Sequence, residues 1–219
     1  TTVESRNFEI RKDVLKYDEV MNEQRKIIYR RRQQIIDGED LSEQAYEIIE
    51  EVVSSIAASY CESEYSETWE IEALLKECAT YFPVTLSKES ILALRNIEDL
   101  VEAIVSDALD QYKQKEGQIG SETLRSIERK VMLDVIDQHW REHLYEMDYL
   151  REGINLRAMG QRDPLTEWQR EGFEMFGVMM ESIKSDFVRF VMKLNVVNEE
   201  ERKKQQRLSY TAADNPVQG

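Results

Sequence analysis

Leu133-Asp134-Val135-Ile136-Asp137-Gln138-His139-Trp140-Arg141-Glu142-His143-Leu144-Tyr145-Glu146-Met147-Asp148-Tyr149-Leu150-Arg151-Glu152-Gly153-Ile154 carries the pattern that decides the fold. Leu133, Ile136, Trp140, His143, Met147, Leu150 and Ile154 are spaced alternately by three and four, which is a heptad seam along one helix. A polar stretch follows from Asn155, and Asp163-Pro164 supplies an N-cap residue and an N1 proline for a second helix. That helix shows Leu165, Trp168, Gly172, Phe176, Met179, Ile183, Phe187, Phe190 and Leu194 on one face. Two long amphipathic helices joined by a short polar break predict an antiparallel hairpin. Gly172 and Gly177 each cost helix stability of about 1 kcal/mol against alanine, so close approach of a neighbour, near Trp140 or Met147, is expected there.

Upstream, no glycine or proline precedes Gly38. Ile10, Val14, Tyr17, Met21, Ile28 and Ile35 fall on one helical face, widened by Val20 and Ile27, and predict a single helix roughly 50 Å long. Gly38 suits its C-terminal stop. Between Gly38 and Gly120 the pattern breaks into shorter helices. One is capped by Asp40 or Ser42 and carries Tyr46, Ile49, Val53, Ile56 and Tyr60. A second carries Trp69, Leu74, Leu75, Cys78 and Phe82, ending at Pro83. A third runs from Ile97 through Leu100, Val101, Ile104 and Ala108 to Tyr112. The fold class is all-α: a long helix (1–37) packed with an antiparallel two-helix hairpin (121–197), a small module of short helices between them (38–120) and a flexible linker (198–219).

Charge is distributed as unevenly as the helices. The 219 residues carry a net charge of −15. Residues 38–120 hold 19 acidic and 5 basic groups, whereas 1–37 hold 7 acidic and 9 basic. Such acidity argues against a nucleic-acid binder, which needs a basic surface to neutralise phosphates. No stretch is long and apolar enough to span a bilayer. Cys61 and Cys78 do not make a disulfide framework, and a reducing, cytosolic setting is expected. The run Arg30-Arg31-Arg32 reads as a solvated face with i, i+4 pairs, with acidic protein or lipid headgroups as the alternative partners. Around the hairpin turn, Arg151, Arg157, Arg162 and Arg170 outnumber Glu152, Asp163 and Glu167, with Met159 among them.

Motifs for chemistry are sparse. His139-Trp140-Arg141-Glu142-His143 matches the H-x-x-E-H pattern of inverted zinc peptidases, with two histidines one turn apart and Glu142 as general base. His143, however, sits on the apolar seam, where a packed histidine is ordinary, and no third ligand is nominated. A zinc hydrolase is the weak alternative. No G-x-x-x-x-G-K-[ST] loop occurs, so this stretch alone is not expected to bind or hydrolyse nucleotide.

Several long blocks in order resemble one family. Asn7-Phe8-Glu9-Ile10-Arg11-Lys12, Leu15-Lys16-Tyr17-Asp18-Glu19-Val20-Met21-Asn22-Glu23-Gln24-Arg25 and Ile28-Tyr29 resemble the start of the scaffold helix of the SecA preprotein translocase ATPases. Trp140-Arg141-Glu142-His143-Leu144, Met147 to Ile154, Leu156-Arg157 and Gln161-Arg162-Asp163-Pro164 resemble their two-helix finger. The resemblance implies a part of a longer motor: a scaffold long helix (1–37), an inserted helical wing domain (38–120), a two-helix finger completing the scaffold domain (121–197) and a flexible C-terminal linker (198–219). Asn7, Phe8, Arg11, Tyr17, Asp18, Asn22 and Arg25 match the scaffold motif, which in the family docks the nucleotide-binding lobes and the preprotein-clamping domain. Met159 matches the fingertip residue, a tyrosine in some relatives, flanked by Leu156, Arg157, Gln161 and Arg162. The finger enters the mouth of a SecYEG-type channel, touches unfolded preprotein and restrains the ATPase. ATP and Mg belong to the parent protein, with no cofactor expected in this stretch. The resemblance also implies a cytoplasmic protein held peripherally on the inner face of a bacterial plasma membrane, where anionic lipid is a further partner. A free-standing helical adaptor using the hairpin tip is the other alternative.

Overall fold

The computed structural model describes residues 2–61, 69–94, 96–157 and 163–194, with side chains described from Leu15 onward and not over 155–157. Seven helices and no strands occur among the described residues: α1 (Thr2–Ile36), α2 (Ser42–Tyr60), α3 (Ile71–Cys78), α4 (Lys88–Leu92), α5 (Ile97–Ile119), α6 (Ser121–Arg157) and α7 (Pro164–Lys193). The all-α architecture expected from periodicity is present.

The helix ends follow local chemistry. At the end of α1, Gly38 takes φ 91° while its N–H bonds the Ile35 carbonyl at 3.2 Å. That left-handed conformation favours glycine. Gly120 (φ 89°) separates α5 from α6 in the same way, whereas Gly117 lies inside α5. Asp163 caps α7 by accepting from the Thr166 N–H at 3.0 Å, with Pro164 at the start of the helix. At α2 neither proposed cap holds in its simple form. Leu41 occupies the N-cap position, and Asp40 instead accepts from the Ser42 N–H at 2.9 Å.

Burial confirms most of the predicted faces. Ile136, Trp140, His143, Met147, Leu150 and Ile154 of the α6 seam are buried, as are Trp168, Gly172, Met179, Ile183 and Phe187 of α7. Phe190, expected on that face, is 51% exposed, because the last turns of α7 bury Val188, Val191 and Met192. Ile27 is likewise exposed, since α1 presents Ile28 and Ile35 to its neighbours and turns Ile27 away.

Two apolar clusters result. The large one joins α2, α3 and α5 to the lower parts of α1, α6 and α7 through residues such as Ile35, Ile49, Leu100, Ile136 and Phe187. The small one holds Met147, Leu150, Ile154 and Trp168, with Tyr17, Val20 and Met21 of α1 packed on it. The hairpin of α6 and α7 therefore rests on α1 along much of its length, and the wing helices hold only its base.

Candidate functional site

The junction where α1 crosses both helices of the hairpin brings together the most unusual chemistry of the molecule. Gln24 stands in the α1 stripe between Met21 and Ile28 and is 5% exposed. Its Nε2 donates to the Gly172 carbonyl of α7 at 2.8 Å, and its Oε1 lies 2.8 Å from His143 Nε2 of α6. One amide thus bridges both helices. With Gln24 oriented to donate to a carbonyl, its Oε1 is the acceptor and His143 Nε2–H is the donor. His143 is 1% exposed, and burial pushes its imidazole down to about 4, so the ring is neutral at physiological pH. Its Nδ1 has no hydrogen-bond partner among the described residues. Rings of Trp140 and Phe176 flank it at 5.6 and 5.8 Å.

Gly172 lies at the same crossing, where a side chain would have to displace the end of Met147. A Cβ there would lie 2.7 Å from Met147 Cε and 3.6 Å from Val20 Cγ1. The expected close approach beside Met147 is therefore present at Gly172. It is absent at Gly177, which is exposed and would meet nothing within 4 Å. Nearer the hairpin turn, Tyr17 packs edge-on against Trp168 at 5.7 Å, and Trp168 Nε1 donates to the Tyr17 carbonyl at 3.3 Å. Asp18 lies 3.9 Å from Arg151 on the surface. Of the scaffold residues singled out from the sequence, Tyr17 faces the hairpin, whereas Asp18, Asn22 and Arg25 are exposed. Asn7, Phe8 and Arg11 lie within α1, but their side chains fall outside the described residues. Leu156 and Arg157 end α6, again without described side chains, and Met159, Gln161 and Arg162 lie outside the described residues.

A second buried network secures the base. Tyr112 donates to Glu128 at 2.5 Å, and Arg125 donates to Tyr112 at 2.8 Å and to Glu116 at 2.9 Å. Glu128 is fully buried. Burial pushes its carboxyl up, against the opposing pull of the Tyr112 hydrogen bond and the Arg125 charge. The basic run of α1 also behaves differently from expectation. Arg31 bonds Glu39 at 2.6 Å and Gln44, and Arg32 bonds Asp137 of α6 at 3.0 Å. The chain folds back after Gly38 and brings Glu39 and Gln44 to Arg31, α6 brings Asp137 to Arg32, and Arg30 stays exposed as expected. At the hairpin turn Arg170 is committed to Glu167 and Glu174, both at 2.9 Å.

The zinc geometry does not assemble. His139 Nε2 lies 2.8 Å from Asp186 of α7, and His143 Nε2 is engaged by Gln24 of α1. Among the described residues no three His, Cys, Asp or Glu side chains converge on one point. Cys61 and Cys78 are buried free thiols, and burial pushes Cys78 up to about 11. Gly117 lies within α5 and Gly120 at its end. No described helix is long and apolar enough to cross a membrane. What the geometry provides is fastening: one long helix seated across a hairpin by an apolar stripe, a glycine contact and a neutral hydrogen-bonded bridge.

That arrangement agrees with the sequence comparisons. Residues 1–195 match the family model described as SecA Wing and Scaffold domain. The chain belongs to the SecA family. It is 47% identical over 194 residues to the protein translocase subunit SecA of Cutibacterium acnes, covering 89% of this chain and 21% of that protein. Against the SecA 1 subunit of Mycolicibacterium smegmatis the identity is 45% over 208 residues, covering 90% and 22%. Against the SecA of Rhodococcus opacus it is 46% over 207 residues, with the same coverage. The chain spans about a fifth of the length of these SecA relatives. Gln24, Arg125 and Glu128 were missed as buried polar residues by sequence reading. The seven-residue gap between Met21 and Ile28 was the available signal for Gln24, since a helical stripe needs an occupant there.

Proposed function

We propose that this chain is the scaffold and wing portion of a SecA motor that drives preproteins through a membrane channel. In this reading, nucleotide-driven motion in lobes carried elsewhere in the motor passes along α1 to the hairpin, whose turn contacts the moving polypeptide. The observation that supports it is the seating of a 35-residue helix across both helices of a hairpin, in a chain of SecA sequence. α6 alone rises about 55 Å over its 37 residues. A small rotation at the base therefore becomes a larger displacement at the turn. Buried contact along α1 is the physical path, and the wing holds the base against which the lever works. The same contact lets the hairpin restrain the ATPase. The partners are the nucleotide-binding and preprotein-clamping domains, a SecYEG-type channel, unfolded preprotein and anionic lipid at the cytoplasmic face of the plasma membrane. ATP and Mg are held by the nucleotide-binding lobes.

The turn residues Leu156, Arg157, Met159, Gln161 and Arg162 are assigned the polypeptide and channel contacts. Asn7, Phe8, Arg11, Asp18, Asn22 and Arg25 are assigned to the lobes, with Tyr17 serving the hairpin side of α1. Replacing Met159 with Gly or Ser in the full-length translocase is expected to reduce preprotein transport into channel-bearing vesicles while nucleotide binding persists. Transport at the unmodified rate would remove the fingertip assignment.

A further inference from the structure

The α1 face toward the hairpin carries Tyr17, Val20, Met21, Gln24, Ile28 and Ile35, of which Gln24 alone has a polar head buried among apolar neighbours. Apolar side chains recurring at three and four residues fit a helix groove nearly as well one turn along, about 5.4 Å away. Burial by itself therefore distinguishes weakly between two seatings of the upper hairpin on α1. The Trp168 bond does not resolve them either. Its acceptor is a backbone carbonyl, and such carbonyls recur at every turn. The first directional anchor below the junction is Arg32 on Asp137, eight residues along α1 and half-exposed. Gln24 differs from all of these. Its amide oxygen and nitrogen are both satisfied only where His143 and the Gly172 carbonyl stand together. One turn away, a buried amide and a buried imidazole N–H would both lose their partners, and leaving such groups unpaired costs more than the bonds themselves contribute. A lone buried polar residue in an apolar seam sets register in coiled coils by this means, at some expense in stability.

We propose that the Gln24–His143–Gly172 bridge sets the seating of the hairpin along α1, and that Gln24 is thereby a positioning residue for transmission of motion to the hairpin turn. The proposal rests on the coupling function above. Its role is specificity of arrangement, so removing both polar partners together separates it from a stabilising contact. The test uses the full-length translocase carrying Gln24→Met with His143→Phe. Spin labels at the exposed Glu19 of α1 and Glu146 of α6 report the seating by pulsed electron resonance. The double variant is expected to unfold at or above the temperature of the parent protein. Its Glu19–Glu146 distance distribution should broaden or gain a second component about 5 Å away. Preprotein transported per ATP hydrolysed should fall several-fold. His143→Gln, which keeps a donor for the Gln24 oxygen, should restore both the single distance and the coupling ratio. A distance distribution as narrow as the parent's would overturn the inference, whatever the transport rate. A broadened distribution with an unchanged transport ratio would uphold the seating role and remove the coupling function instead. Should the double variant not fold, Gln24→Leu is read by the same distances.

Discussion

The two ends of the hairpin are held by opposite chemistry. At the base, a large apolar cluster surrounds a buried ionic network of Tyr112, Arg125, Glu128 and Glu116. Toward the turn, four buried apolar residues and one neutral amide–imidazole bridge suffice. Burying an ion pair demands several partners to offset desolvation, and it resists any displacement that would strip one away. A neutral bridge over a small apolar patch costs less to part. The base is therefore expected to resist displacement more strongly than the upper hairpin.

Truncating the base network tests that contrast most severely. Glu128→Ala leaves Arg125 with only Glu116 and Tyr112 around it, and is expected to destabilise by about 3–5 kcal/mol, measured by urea unfolding. A loss no larger than that of a surface substitution would erase the distinction between the two ends.

The junction is next, through pH. His143 titrates near 4 when folded and near 6.5 when unfolded. Between these values the unfolded chain binds the extra proton, so stability present above pH 6.5 is lost as pH falls to 4, by about 3 kcal/mol at most. The raised carboxyl of Glu128 works in the opposite sense above its ordinary value, because its proton is held more tightly in the fold. Comparing the chain with its His143→Asn variant across this window cancels the Glu128 contribution. The stability of the chain minus that of the variant should rise with pH between about 4 and 6.5, and parallel profiles would contradict a buried neutral imidazole.

The smallest effect comes from a pair of glycines on one helix. Gly172→Ala places a methyl group against the end of the Met147 side chain, which must shift, and is expected to lose most of the gain of about 1 kcal/mol from the better helix propensity of alanine. Gly177→Ala points into open space and should stabilise by up to about 1 kcal/mol. A smaller gain at Gly172 than at Gly177 in thermal unfolding would localise the tight crossing to the junction, and equal gains would refute it.

Periodicity made much of this legible. The α6 seam, the Asp163-Pro164 start of α7 and the Gly38 stop of α1 are local matters, where side-chain spacing, a cap and a left-handed glycine act within a few residues. The all-α class and the SecA family follow from those same stretches. Long-range pairing was not legible. Gln24 and His143 are 119 residues apart, and Gln24 and Gly172 are 148 apart. The stripe spacing puts Gln24 on the buried face of α1, but nothing local says which partners will satisfy its amide. Arg31 and Arg32 misled for the same reason, because their partners arrive only when the chain after Gly38 and α6 pack beside them, whereas Arg30 is exposed as expected. Phe190 and Ile27 were misassigned because an apolar residue at the margin of a stripe is turned inward or outward by the neighbour it meets. The sequence by itself determined helices, their ends and their apolar faces, since these depend on backbone and side-chain preferences within a turn or two. Only the tertiary structure decided which polar groups those faces enclose, because a buried donor is tolerated only where another helix brings its acceptor.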